Sequence, residues 1–191
     1  MDTGKIILVV VGVFAFIIFI FVAWFVTTHN SLVNADQETN AAWSKVENQY
    51  QRRADLLPNL VEVVKGYAKH ESTVFEEVTK ARSQWADAKT PDDKVKAAGE
   101  IDSALSRLMV VVEAYPDLKA SSNFAALQAQ IEGTENRIST ERGRYTDIAT
   151  AYNKKIKGIP TSFVADIYGY KEKPLFQADK GTDKAPKLNM T

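Results

Sequence analysis

Two histidines, His29 and His70, are the only imidazoles in the 191 residues, and there is no cysteine. A helical chain with 24 carboxylates invites comparison with di-iron proteins, whose sites need a Glu-x-x-His pair on each of two helices. Three residues before His70 stands Tyr67, and three before His29 stands Val26, so neither pair exists. "HESTV" at 70–74 begins like a zinc-protease helix, but Val74 occupies the place of the second histidine. Without cysteine, disulfides, thiolate metal sites, thiol nucleophiles and lipidation of an N-terminal cysteine are excluded. There is no glycine-rich phosphate loop and no Gly-x-Ser-x-Gly elbow. A nucleophile–base pair would have to use His70, and no serine stands in a recognisable context for it. These residue types therefore predict no catalytic site, no metal site and no cofactor. Lysine and arginine together number 24, equal to the acids. Nucleic-acid binding needs a basic face, which this balance does not supply.

The polar residues that do concentrate lie around two prolines. "QRRADLLPN" carries Arg52, Arg53, Asp55, Pro58 and Asn59, and "EAYPD" carries Glu113, Tyr115, Pro116 and Asp117. A proline ends or bends a helix and leaves backbone groups without partners, which nearby charges can satisfy. Two folding patterns, four separate helices or two long kinked ones folded back at residues 88–91, both bring these segments to one end. The first set is then expected to pair with Glu113 and Asp117. The nine residues form either a capping cluster or a recognition surface for a partner.

These groups must be positioned by helices. From Ile6 to Val26, "IILVVVGVFAFIIFIFVAWFV", no residue is charged, and seventeen of the twenty-one are Leu, Ile, Val or Phe. At about 1.5 Å per residue the run is roughly 31 Å long, the thickness of a bilayer core. At roughly −0.3 to −0.6 kcal/mol for each of these residues, insertion is favoured by about 5–10 kcal/mol. The run is longer than a signal-peptide core, and no small-residue cleavage site follows "WFVTTHNS". Residues 1–29 are thus expected to be a membrane anchor contacting lipid through 6–26. Lys5 precedes the run, and no basic residue follows until Lys45. The positive-inside rule then places the N-terminus in the cytoplasm and the bulk of the chain outside.

Beyond Asn30 apolar residues recur at helical spacing. Trp43, Val46, Tyr50, Ala54 and Leu57 precede Pro58; Leu60, Val64, Tyr67, Val74, Val78 and Trp85 follow it. Thr90, Pro91, Asp92 and Asp93 suit an N-cap, a first helical residue and an acidic first turn. A third stripe runs from Val95 to Tyr115. A fourth steps by three and four through Phe124, Leu127, Ile131, Thr134, Ile138, Glu141, Tyr145, Ile148 and Tyr152, ending before Gly158 and Pro160. No stretch alternates with period two. The expected fold is all-α: an N-terminal transmembrane helix followed by an up-and-down type four-helix bundle over residues 30–176. Glu71 and Glu141 fall on the stripes, either at their margins or in a buried polar layer with Arg137 or Arg142. Phe163, Val164, Ile167 and Tyr168 form a short apolar segment, either a cap on the bundle or an interfacial element touching lipid. Residues 177–191 are polar and expected to be a disordered tail.

The sequence resembles the LemA family of bacterial membrane proteins. The resemblance rests on "NSLV" ending at Val33, "QRRADLLPNLVEVVKGYAKHE" at 51–71 and "VEAYPDLKASSNFAALQAQIEGTENRI" at 112–138. "ERGRY" at 141–145, "AYNKKI" at 151–156 and the closing "IPTSFVADIYGY" complete it. It extends to about residue 176, and its paired proline motifs are specific. Thr146 stands where the family usually has asparagine. The resemblance implies a helical bundle behind a membrane helix and no established biochemical activity. Some members are linked to magnetosome formation, and family genes often neighbour envelope or membrane-protease genes. The family has also been described with its bulk in the cytoplasm, opposite to the charge argument. The chain is therefore expected to be a non-enzymatic scaffold or adaptor of the bacterial cell envelope, anchored in the inner membrane. It would have protein partners there, and self-association is open. The alternative is a regulatory subunit of a membrane protease or envelope-stress sensor.

Overall fold

The computed structural model describes residues 3–176, and these are helical throughout apart from turns and a closing extended segment. In chain order the elements are α1 (Thr3–Lys65), α2 (Ser72–Asp87), α3 (Pro91–Glu113), α4 (Pro116–Lys119), α5 (Ser122–Lys157) and α6 (Thr161–Tyr168). No strand occurs among the described residues. The expected tail at 177–191 lies outside them.

α1 corrects the sequence reading. It runs unbroken for 63 residues with Pro58 inside it. A proline in a helix interior costs about 3 kcal/mol. Around it Leu57, Leu60, Val61 and Val64 are all buried, and each burial returns about 1.5–3 kcal/mol. The sum exceeds the cost, and Pro58 itself sits on the exposed face. The break expected at Pro58 falls at residues 66–71, "GYAKHE", where Tyr67 and Ala68 both donate to the Val64 carbonyl, at 3.0 and 2.9 Å.

The chain packs as two compact units. In the first, residues 3–44 join Asp147–Lys173. Its α1 residues from Ile6 to Val22 are exposed, Leu8 at 75% and Phe19 at 69%. A helix this long and apolar, unburied by its own chain, meets the requirements for crossing a membrane. Leu32, Tyr152, Ile156, Val164 and Ala165 make a small core, flanked by Trp24, Phe25, Ala35 and Tyr170. Lys155 Nζ donates to the Ser31 hydroxyl and carbonyl at 2.6 and 3.0 Å. α6 ends on Gly169 at φ +72°, the left-handed region that a glycine enters without Cβ strain. The chain beyond it is clamped by Asn153, whose Nδ2 donates to the Lys173 carbonyl and whose Oδ1 accepts from the Lys173 amide, at 2.9 and 2.8 Å.

In the second unit, Lys45–Thr146 joins residues 174–176. Val46, Tyr50, Leu57, Leu60 and Val64 of α1 are buried, as are Phe75, Val78 and Trp85 of α2. Ile101, Leu105, Leu108 and Val112 of α3 and Phe124, Ile131, Ile138 and Tyr145 of α5 complete this core. α3 starts as its residues dictate: the Thr90 hydroxyl accepts from the Asp93 amide at 3.1 Å, and Pro91, Asp92 and Asp93 fill the first turn.

Candidate functional site

The second unit carries a charged side chain at its centre. Arg53 is 1% exposed and sits on the buried face of α1. Its Nη1 donates to Asp102 Oδ1 of α3 at 2.5 Å, and its Nη2 pairs with Glu135 of α5. Nε reaches Thr134 Oγ1 at 3.4 Å. Thr134 is itself buried, and its hydroxyl donates to the Ile131 carbonyl at 2.7 Å. A buried guanidinium is tolerable only when its donors are met, and here two other helices, α3 and α5, supply the acceptors.

The layer extends past Asp102. Tyr50 donates from its hydroxyl to Asp102 Oδ2 at 3.0 Å. Arg142 Nη1 lies 3.4 Å from the same hydroxyl and 4.0 Å from Asp102 Oδ2. Burial holds the Asp102 carboxyl above the usual carboxylate range, and the Arg53 charge partly offsets that effect. The Tyr50 phenol is pushed up by burial and by the adjacent Asp102. It therefore stays a neutral donor. On the other side of Tyr50, Trp85 Nε1 donates to Gln51 Oε1 at 3.0 Å, and Gln51 Nε2 donates to Asp55 at 2.8 Å. Beside the layer lies a groove of about 820 Å³, lined by Tyr50, Asp102 and Arg142 together with Arg107 and Phe176. Asp102 is engaged by the Tyr50 hydroxyl and by Arg53, with Arg142 4.0 Å away. Chemically the cluster is a charge-paired polar layer: Arg53 with its acceptors, a phenol that holds the second carboxylate oxygen, and Arg142 beside them.

The sequence-predicted residues divide. Arg53 is in the layer, but its partners are Asp102 and Glu135 rather than Glu113 or Asp117. Glu113 lies eleven residues beyond Asp102 on α3, about 16 Å along the axis, which is out of reach. Arg52, Asp55, Pro58 and Asn59 are exposed on α1. Glu113 closes α3 and pairs with Lys119 at 2.7 Å. Tyr115, half-buried, precedes α4, while Pro116 and Asp117 form its exposed first turn. The Tyr115 hydroxyl donates to Glu71 Oε1 at 3.3 Å, tying the 114–121 connection to the 66–71 turn. The pole of this unit is thus built from "GYAKHE" and "AYPDLKAS", not from "ADLLPN". Of the two readings of Glu141, the structure matches the stripe margin: Glu141 is half-buried and pairs with Arg144 at 3.2 Å, one turn along its own helix, not with Arg137 or Arg142.

Sequence reasoning missed Asp102 and the burial of Arg53. The signal was there: Val46, Tyr50, Arg53, Leu57, Leu60 and Val64 step by four and three without a gap. Thr134 already interrupts the α5 stripe as a polar residue, and Arg53 is what it serves.

Described residues that are helical without strands, among them one apolar helix long enough to span a bilayer, define a membrane-associated helical protein. The LemA family profile matches residues 42–190, and the chain belongs to this family. Magnetosome protein MamQ 2 of Paramagnetospirillum magneticum is 27% identical, covering 85% of this chain and 70% of the relative. Protein LemA of Metamycoplasma hominis is 28% identical, covering 89% and 75%. Magnetosome protein MamQ of Magnetospirillum gryphiswaldense is 25% identical, covering 83% and 70%.

Proposed function

We propose that the chain is a non-enzymatic, single-pass scaffold or adaptor of the bacterial cell envelope, built as an up-and-down four-helix bundle behind its membrane helix. The observation that carries this reading is the continuity of α1, which supplies both the exposed apolar segment and the buried residues from Val46 to Val64. An anchor fused to the core in one helix suits a presented surface. The self-contained pairing of Arg53, Asp102 and Glu135 suits a structural role for the charges at the centre. Partner recognition then falls to exposed residues: Arg52, Asp55 and Asn59 on α1, and Glu113, Pro116 and Asp117 at the pole. Relatives named for magnetosomes and for a mycoplasma, alike over most of the chain, suit a presenting role rather than one substrate. The bundle stands outside the cytoplasm in this reading, following the lysine asymmetry.

Co-purification from native membranes in mild detergent tests the proposal. Self-association or several partners, lost on charge reversal at Arg52, Asp55 and Asp117 with unchanged helicity, is the expected result. A single stoichiometric protease or kinase would replace the scaffold reading with a regulatory subunit.

A further inference from the structure

α6 is amphipathic and satisfies only one of its faces. Val164 and Ala165 are buried in the small core of the first unit, against Trp24, Phe25 and Leu32. Phe163 and Ile167 project away from that core and are 76% and 63% exposed, and Ile159 just before the helix is 91% exposed. A cap on a water-soluble bundle would bury such residues; this one leaves them open. Ser162 and Asp166 flank them on the polar side.

The height of α6 is fixed by what it touches. The Tyr168 ring lies 6.2 Å from Phe25 and stacks on His29 at 4.0 Å. Phe21, Trp24 and Phe25 of α1 and Pro160, Phe163 and Ile167 border one groove of about 580 Å³. Phe21, Trp24 and Phe25 belong to the last turns of the apolar run that ends at Val26. The exposed face of α6 is therefore continuous with the lipid-facing surface of α1 at the depth where the chain leaves the membrane. Lysines flank it in the chain: Lys154 and Lys157 in the last turn of α5, the latter paired with Glu172 at 2.8 Å, and Lys171 after α6. Apolar residues inward and lysines beside them is the pattern of a helix lying in a headgroup boundary.

We propose that α6 is a second lipid-contacting element, with Phe163, Ile167 and Ile159 inserted among the acyl chains of the leaflet from which α1 emerges. The occupant of the groove is phospholipid. Two membrane contacts, one spanning and one lying in the interface, would fix the angle at which the first unit meets the bilayer. This inference rests on the reading that Ile6–Val26 spans the membrane.

The absence of cysteine makes the test direct. The full chain carrying Phe163→Cys or Ile167→Cys is labelled with an environment-sensitive dye. It is placed, one chain per disc, in nanodiscs of phosphatidylcholine and phosphatidylglycerol containing nitroxide lipids. Phe14→Cys within the span and Glu38→Cys, twelve residues beyond Val26 or about 18 Å along α1, are the references. All four positions are exposed, so labelling leaves the core intact, and unchanged helical circular dichroism confirms it. The expected result is blue-shifted emission at 163 and 167, quenched most by nitroxides about 5–10 Å below the headgroups. Phe14→Cys should be quenched most by deeper labels and Glu38→Cys hardly at all. Quenching at position 14 with 163 and 167 matching position 38 overturns the proposal and leaves the span standing. No quenching at position 14 removes the span itself, and the proposal with it. A blue shift that needs more than one chain per disc and ignores lipid nitroxides assigns the groove to a second copy and also overturns it.

Discussion

Replacing Arg53 by alanine removes the only charged side chain among the described residues of the second unit that is buried, at 1% exposure. The cost has two parts. Truncation leaves a cavity where a long side chain filled the space between α1, α3 and α5. It also strips two carboxylates of their cation, and breaking a buried ion pair costs about 3–5 kcal/mol. The acceptors are unequally placed: Glu135 is 60% exposed and recovers water, whereas Asp102 is 35% exposed and keeps Tyr50 and Arg142. Screening discounts the Glu135 share almost entirely. The loss should therefore sit near the low end, about 3 kcal/mol, while its exposed neighbour Arg52→Ala stays within about 0.5 kcal/mol. Guanidinium unfolding of the full chain in detergent, followed by circular dichroism, measures both. Arg53→Met keeps most of the volume and separates packing from charge. Combining Arg53→Met with Asp102→Asn should recover part of the loss, with a coupling of about 1–3 kcal/mol. The pH dependence has a definite sign. Asp102 titrates above its ordinary value when folded, so the native state binds that proton more tightly than the unfolded chain. Its contribution favours folding in acid and is lost as pH rises from the ordinary aspartate value through the raised one. Arg53 opposes the shift, so Arg53→Ala should move this loss to higher pH, and Asp102→Asn should abolish it. Equal stabilities for Arg53→Ala and Arg52→Ala would refute the reasoning, because removing a buried, paired guanidinium and its packing cannot cost the same as trimming an exposed one.

Pro58→Ala should stabilise the protein by about 1–2 kcal/mol, since it restores a helical amide on an exposed face; destabilisation in the same unfolding assay would mean that the proline shapes α1 for packing. Burial pushes the Tyr145 phenol up to about 12, with Asp92 adding to the shift. Its contribution to stability is complete below the ordinary tyrosine value of about 10 and is lost as pH rises through 12; ultraviolet titration should show this ring ionising only with unfolding, and ionisation near 10 in the native state would contradict it. A cysteine at Lys187 should react with a membrane-impermeant maleimide in intact spheroplasts, and labelling only after lysis would put the bundle in the cytoplasm.

Where a structural decision is local, the sequence carries it. Thr90 caps α3 because a threonine hydroxyl meets the Asp93 amide whatever lies around it. α5 begins at Ser122 and ends at Lys157 just before Gly158, because breakers stand at both ends. The apolar run from Ile6 is legible for the same reason, since insertion is a sum over residues. Pro58 is the opposite case. Its local cost is real, and only the burial of Leu57, Leu60, Val61 and Val64 against other helices makes it affordable. That term is long-range, so the helix boundary moves eight residues to Gly66, and every expectation about which charges meet moves with it.

The displacement also explains why the candidate site was half visible. Arg52 and Arg53 are identical in type, and nothing in composition says that one is exposed and the other sealed. The distinction lies in angle: position 53 is three residues after Tyr50 and four before Leu57, on the buried stripe, while position 52 is a hundred degrees off it. Once Arg53 is placed inward, its needs can be read across the chain. It requires acceptors at the same level on two other helices. α3 runs beside Ile101 and α5 beside Ile131 and Ile138 at that level, so Asp102, Thr134 and Glu135 are the polar residues in reach. A single cation thus fixes the register of three helices at once. A slip of one turn in any of them would carry an acceptor about 5.4 Å away and leave a buried donor unmet. That constraint acts against misregistered packings of three amphipathic stripes, which apolar contact alone distinguishes poorly.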